Sequence, residues 1–112
     1  MGIQKWSDTV LLVSLAQEPD MGEELQTTIE MVDSDGCYDV VVDFSEAEII
    51  TSSSIAKLLK LRKVLNDCDH KLVLSGISHQ TKNVFVITGL DGVFEFVEDK
   101  FLGLAGLQLT NN

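Results

Sequence analysis

The sequence predicts an α/β fold with a mixed, mostly parallel sheet, and three observations carry that expectation. Two segments, "YDVVVDF" (Tyr38 to Phe44) and "KLVLSG" (Lys71 to Gly76), have the continuous apolar pattern of strands buried on both faces. One amphipathic helix separates them, which makes a strand–helix–strand unit with parallel strands. At 112 residues the chain suffices for one hydrophobic core, so a single domain over residues 1–112 is expected, with a loose tail from about residue 108.

Each element has its own local reason. Ile3 to Trp6 and Thr9 to Leu15 read as two short strands joined at Ser7-Asp8. In "EPDMGEELQTTIEMVDSDG", Asp20 suits a helix N-cap and Glu23 completes a box-like cap. Glu23 and Glu24 favour the positive end of the dipole, Leu25, Ile29 and Val32 form the buried stripe, and Asp35-Gly36 ends the helix. A second helix runs from about Ser53 to Asp67, with Ile55, Leu58, Leu59, Leu61 and Leu65 on one face and Lys57, Lys60 and Lys63 opposite.

"SHQTKNVFVITGL" is ambiguous, because Val84, Val86, Ile87 and Thr88 favour a strand. Its punctuation favours a short helix: Ser78 caps the start, Gly89 suits the left-handed position after the end, and Leu90 reaches back onto Phe85. "VFEFV" (Val93 to Val97) alternates as a brief strand, and Asp99 to about Leu107 reads as a glycine-weakened last helix. The predicted order is ββαβαβαβα.

Composition excludes several function classes. Hydrophobic residues at 45% and charged residues at 23% describe an ordered soluble chain. Eighteen acids against eight Lys and Arg give a net charge of −10, the wrong balance for tracking a phosphate backbone, so no nucleic acid is expected. Four of the eight basic residues, Lys57, Lys60, Arg62 and Lys63, lie in the second helix, where an exposed basic face could steer an acidic partner. The apolar runs are strand-sized, which argues against membrane insertion, and no leader-like segment opens the sequence, so the cytoplasm is the expected compartment. Cys37 and Cys68 lack disulfide or zinc spacing and are expected as reduced thiols.

The most unusual stretch is Thr51-Ser52-Ser53-Ser54, four hydroxyl residues where a helix needs one cap. In its plain reading one residue caps and the rest fill a tight loop. The alternative reading is a modification site, because a phosphate at a helix start meets free N–H groups and the positive dipole end, with Lys57 one turn on. A nucleophilic serine would need an oriented base. His70 and His79 are the only histidines, both read as exposed loop residues without an acidic orienter, and Gly-x-Ser-x-Gly is missing. Cys68, His70 and His79 lack the ordered spacing of a metal site. No enzyme activity, metal or cofactor is therefore expected. Asp20, Asp43, Glu46 and Glu48 follow strands and could form an acidic rim around the serines, where a phosphate would change the local charge sharply.

Taken together, "VVVDFSEAEIITSSSIAKLLKLRKVL", "HKLVLSGIS" and "TGLDGVFEFVED" resemble the STAS domain (sulfate transporter and anti-sigma-factor antagonist), from about Thr9 to Phe101. Small free-standing bacterial anti-sigma-factor antagonists are the most similar members. Their pattern is a strand, an aspartate, a short loop, then Asp-Ser-Ser-Gly-Leu opening a helix.

The resemblance implies an acceptor at Ser52, with Ser53 as fallback, and Asp20, Thr51, Ser54 and Lys57 nearby. It also implies partner switching: the unmodified protein binds an anti-sigma serine kinase of the ATP-binding, histidine-kinase-like type, and phosphorylation releases it. The partner face would comprise Glu46, Glu48, Ala56, Lys57 and Lys60, on a chain expected as a monomer. Three positions depart from the pattern: Thr51 replaces an aspartate, Ser54 a glycine, and Gln17 a glycine before the first helix. Other family members carry no phosphorylated residue and serve as scaffolds or as subunits of lipid ABC transporters or signalling assemblies. That is the alternative function.

Overall fold

The computed structural model describes residues 2–35, 38–48 and 50–111, with side chains described up to residue 107 except at residue 35. Cys37 and Gly36 lie outside the described residues. The elements are β1 (Gly2–Lys5), β2 (Val10–Ser14), α1 (Asp20–Asp35), β3 (Asp39–Asp43), α2 (Ser52–Asp67), β4 (Leu72–Ser75), α3 (His79–Ile87), β5 (Glu95–Val97) and α4 (Lys100–Asn111). This is the order read from the sequence, with α4 continuing past Leu107.

The five strands lie in sequence order, β1 antiparallel to β2 and the others parallel. Because the order never reverses, crossovers of one hand place α1, α2 and α3 on the same face. Leu11, Val13, Val40, Val42 and Leu74 point into that layer and meet Leu25 and Ile29 of α1, Leu58 and Leu61 of α2 and Phe85 of α3. The opposite face is left to α4, whose Leu104 and Leu107 cover Val10, Leu12, Val41 and Val73. Gly103 makes that contact close: a Cβ there would stand 3.3 Å from Val73 and 3.4 Å from Val41. The glycine that weakens α4 as a helix lets it lie against two valines.

The ambiguous segment folds as helix α3. Ser78 Oγ accepts from Thr81 N at 3.2 Å. At the other end Gly89 has φ 77°, its N–H donates to Val86 O, and Leu90 N donates to Phe85 O at 2.7 Å. These two bonds satisfy carbonyls that a helix end leaves open. Phe85 is wholly buried and meets Phe94 and Phe96 edge-on at ring distances of 5.5 and 5.4 Å, while Ile87 stays 82% exposed. One large aromatic anchored in the core outweighs the strand preference of its β-branched neighbours.

Two local expectations need correction. Asp20 is the first residue of α1, inside the cap position expected for it, because the turn Gln17–Met21 begins the coil earlier. In α2 the buried residues are Ser54, Ile55, Leu58, Leu61 and Leu65, and Leu59 lies at the exposed rim.

Candidate functional site

The serine cluster stands at the carboxyl edge of the sheet, where the β3–α2 loop enters α2. Thr51 is the N-cap: its backbone is extended (φ −92°, ψ 162°), and its Oγ1 accepts from Ser54 N at 3.2 Å. Ser52, Ser53 and Ser54 form the first helical turn. Threonine caps nearly as well as the aspartate of the pattern, since either oxygen reaches the N–H three residues on.

A carboxylate from another element completes the cap. Glu18, in the β2–α1 loop, accepts through Oε2 from Thr51 Oγ1 at 2.7 Å, Thr51 N at 3.0 Å and Ser54 Oγ at 2.8 Å. In a capping box, a Glu at the third helical position binds the N-cap N–H. Here that position holds Ser54, and Glu18 arrives from 33 residues upstream to bind the same N–H. Burial alone would push the Glu18 carboxyl up, but the Thr51 and Ser54 hydroxyls, the Thr51 amide and the Lys57 ammonium hold it below the usual range. Sequence reading missed Glu18. The departures at Thr51 and Ser54 were the available signal, because two hydroxyls at those positions are donors in want of an acceptor. An aspartate at 51 would repel Glu18 instead.

The four hydroxyls therefore divide. Thr51 and Ser54 are committed to the cap, and Ser54 is 1% exposed. Ser52 and Ser53 are exposed, and neither side chain is hydrogen-bonded among the described residues. Lys57, expected on an exposed face, is partly buried and donates through Nζ to Gly22 O at 3.1 Å, tying α2 to α1. Ala56 and Lys60 are exposed on α2, and Glu46 and Glu48 are exposed on the loop before it. Arg62 is drawn inward, donating through Nε to Val93 O at 3.0 Å, and Lys63 pairs with Asp67 at 3.1 Å. The free basic face of α2 is therefore narrower than its sequence suggests.

Asp43 does not stand on an exposed rim around the serines as expected. Asp43 is the last residue of β3, 5% exposed, and accepts from the Ser45 and Ser75 hydroxyls at 2.8 and 2.9 Å. The parallel register sets it directly opposite Ser75, which draws the carboxylate into the sheet. Asp20 is exposed and lines a cleft between β1 and α1 with Ile3, Ala16 and Thr27. The carboxylate that touches the serine turn is Glu18.

At the other edge of the sheet, His70 is only partly exposed and has the acidic partner that sequence reading denied it. Its Nδ1 donates to Asp39 Oδ1 at 3.0 Å, and Lys71 N donates to the same oxygen at 2.8 Å. His79 is exposed at the first residue of α3. Cys68 forms the C-cap of α2 and is in no disulfide among the described residues.

The chain resembles solved structures over most of its length. An anti-sigma-factor antagonist (STAS) domain protein from Planctomyces limnophilus superposes with a TM-score of 0.81 at 18% identity, covering 96% of this chain and 99% of that one. The anti-sigma factor antagonist SpoIIAA, of Bacillus, in its unphosphorylated form gives 0.80 at 14% identity, covering 95% and 94%. A chain from the stressosome, a signal integration and transduction hub, gives 0.76 at 18% identity, covering 98% of each. At such identities the likeness is one of fold. No curated protein sequence matches the chain. The STAS domain family profile, however, matches residues 8–101, nearly the span over which the sequence patterns run, and the chain belongs to the STAS domain family.

Proposed function

We propose that the chain is an anti-sigma-factor antagonist whose binding is switched by phosphorylation of Ser52. The observation that carries this reading is the division of the serine cluster. The fold uses Thr51 and Ser54, and two exposed hydroxyls remain on the first turn of α2 with no structural task. Ser52 holds the acceptor register of the family pattern, with Ser53 as fallback. In the transfer, an O–P bond forms at Ser52 Oγ as the bond between the γ-phosphorus of ATP and its bridging oxygen breaks. ADP leaves, and the hydroxyl proton passes to a base on the kinase.

The partner is a serine kinase of the ATP-binding, histidine-kinase-like type that also sequesters a sigma factor. Unmodified, the antagonist engages it through the serine turn, Ala56 and Lys60 of α2, and Glu46 and Glu48 of the preceding loop. A phosphate adds about −1.5 to −2 charges to the middle of that face and disrupts a surface matched to the hydroxyl form. On this reading the chain is a cytoplasmic monomer that acts by binding and has no chemistry of its own. No helix among the described residues is long and apolar enough to cross a membrane. The SpoIIAA structures, one unphosphorylated and one phosphorylated, describe an antagonist of this fold in both states.

A second reading, a scaffold subunit that is never phosphorylated, draws on the stressosome chain's resemblance over 98% of both lengths. One experiment separates the two. Wild type and Ser52→Asp serve as baits in lysate of the native host, and captured proteins are identified by mass spectrometry. Capture of a small ATP-binding kinase by wild type, lost with Ser52→Asp, supports the antagonist. Identical capture of transport or scaffold proteins by both baits overturns it in favour of the scaffold.

A further inference from the structure

The Glu18 contact does more than finish a helix cap. It docks the β2–α1 loop onto the start of α2 through three donors on two residues, Thr51 and Ser54. Ser52 lies between those two residues in the same helical turn. A phosphate on Ser52 therefore arrives beside an ionised carboxylate, and two effects act in one direction. Like charges brought together at one helix start repel. The phosphate oxygens, stronger acceptors than a carboxylate by charge, also compete for the Thr51 donors. Lys57 is the cation whose field reaches Glu18, and with one N–H held by Gly22 O its single positive charge faces a carboxylate and a phosphate of up to two charges, so the balance there is net negative.

We propose that Glu18 is the responding residue of the switch: a phosphate on Ser52 expels the Glu18 carboxylate from the Thr51 and Ser54 donors and undocks the β2–α1 loop from α2. This rests on Ser52 being the modified hydroxyl. Modification then alters the shape of the partner face as well as its charge, and the change reaches the start of α1. Glu18 is a positioning residue here, acting through Thr51 and Ser54 without touching the transferred group.

The test uses the full chain carrying phosphoserine at position 52, installed during translation, and needs no kinase or partner. NMR follows the Thr51 amide proton and the Glu18 carboxyl carbon across a pH titration, with the Leu58 and Leu61 amides reporting the fold. In the unmodified protein the Thr51 amide follows the Glu18 carboxyl with the same midpoint, and in Glu18→Gln that midpoint disappears. In the phosphorylated protein the coupling is lost, or the amide follows the second ionisation of the phosphate, near pH 6, instead. A Thr51 amide that still follows Glu18 after phosphorylation overturns the inference. So does one that titrates unchanged in Glu18→Gln.

The inference and the antagonist reading fail separately. A partner released from phosphorylated protein whose Thr51 amide still follows Glu18 means that the phosphate acts by direct contact alone, and the latch falls. Loss of the coupling with partner binding intact keeps the latch and removes the antagonist.

Discussion

Each end of α2 is secured by an acid supplied from elsewhere in the chain, and the two ends differ in what is left over. At the carboxyl end, Asp69 takes a left-handed backbone (φ 62°), and Asp69 N and His70 N donate to Asn66 O and Leu65 O. Asp39 then fixes the exit by accepting from His70 Nδ1 and Lys71 N. Each of these polar groups has a task in ending the helix. At the amino end, Glu18, Thr51 and Ser54 close the cap just as fully, yet Ser52 and Ser53 stand exposed beside them. On the proposed function, a hydroxyl that the fold does not use, on a turn held by the cap, marks the end of the helix that faces a partner.

The comparison implies that the carboxyl end matters more to stability, and Asp39→Ala tests this first. Asp39 is 3% exposed, and its loss strands two donors, at a cost of about 2–3 kcal/mol. With a urea dependence of about 1–3 kcal/mol per molar, the unfolding midpoint should fall by about 0.7–3 M. A fall no larger than that of a surface substitution would reverse the ranking of the two ends.

Glu18→Gln comes next. The contact is charge-assisted but partly exposed, so its removal should cost about 1 kcal/mol at neutral pH. The pH dependence has a definite sign. The Glu18 carboxyl titrates below its ordinary value, so the stabilisation is fully present above about pH 4.5 and is lost as pH falls through the lowered pKa. Wild type and Glu18→Gln should therefore differ in denaturation at pH 7 and converge in acid. A gap that widens on acidification would mean that Glu18 is not held as the carboxylate.

Asp69→Gly sharpens the comparison from the opposite direction. A non-glycine residue in the left-handed region carries a steric cost that glycine lacks. Relief of that cost, offset by glycine's greater freedom when unfolded, leaves a gain of up to about 1 kcal/mol. Thermal unfolding should rise slightly, and partner capture should not change. A loss of capture would place the binding surface at the wrong end of α2.

How much of this was legible in the sequence depends on the range of the interaction. The α3 helix could be read because its cap Ser78 and its stop Gly89 are local, and the order of elements along the chain because hydrophobic periods are local. The burial of Ser54 went unread although its signal was local: Ser54, Leu58, Leu61 and Leu65 share one helical stripe, which a serine among leucines disguises. Glu18, Asp39 and Asp43 were misread or missed for one reason. Each acid is satisfied by a residue more than 30 positions away, and no local pattern says which acid folds inward. Acids read as solvated by composition are drawn in by N–H and hydroxyl donors that only the tertiary structure brings near.

The smallest expected effect on stability is the most informative about function. Ser52→Ala removes an exposed hydroxyl with no hydrogen bond among the described residues, and alanine is at least as good a helix former as serine. Denaturation should move by less than about 0.5 kcal/mol. Binding of the unmodified form should survive, since the alanine variant keeps the shape and neutrality of the hydroxyl state, whereas release by kinase and ATP should vanish. If Ser53 is the acceptor, Ser52→Ala is still released and Ser53→Ala is not. If both single variants and the double variant are released as wild type is, neither hydroxyl is the switch. The surplus at this end of α2 would then be loop filling, as the plain reading of the four-hydroxyl run has it.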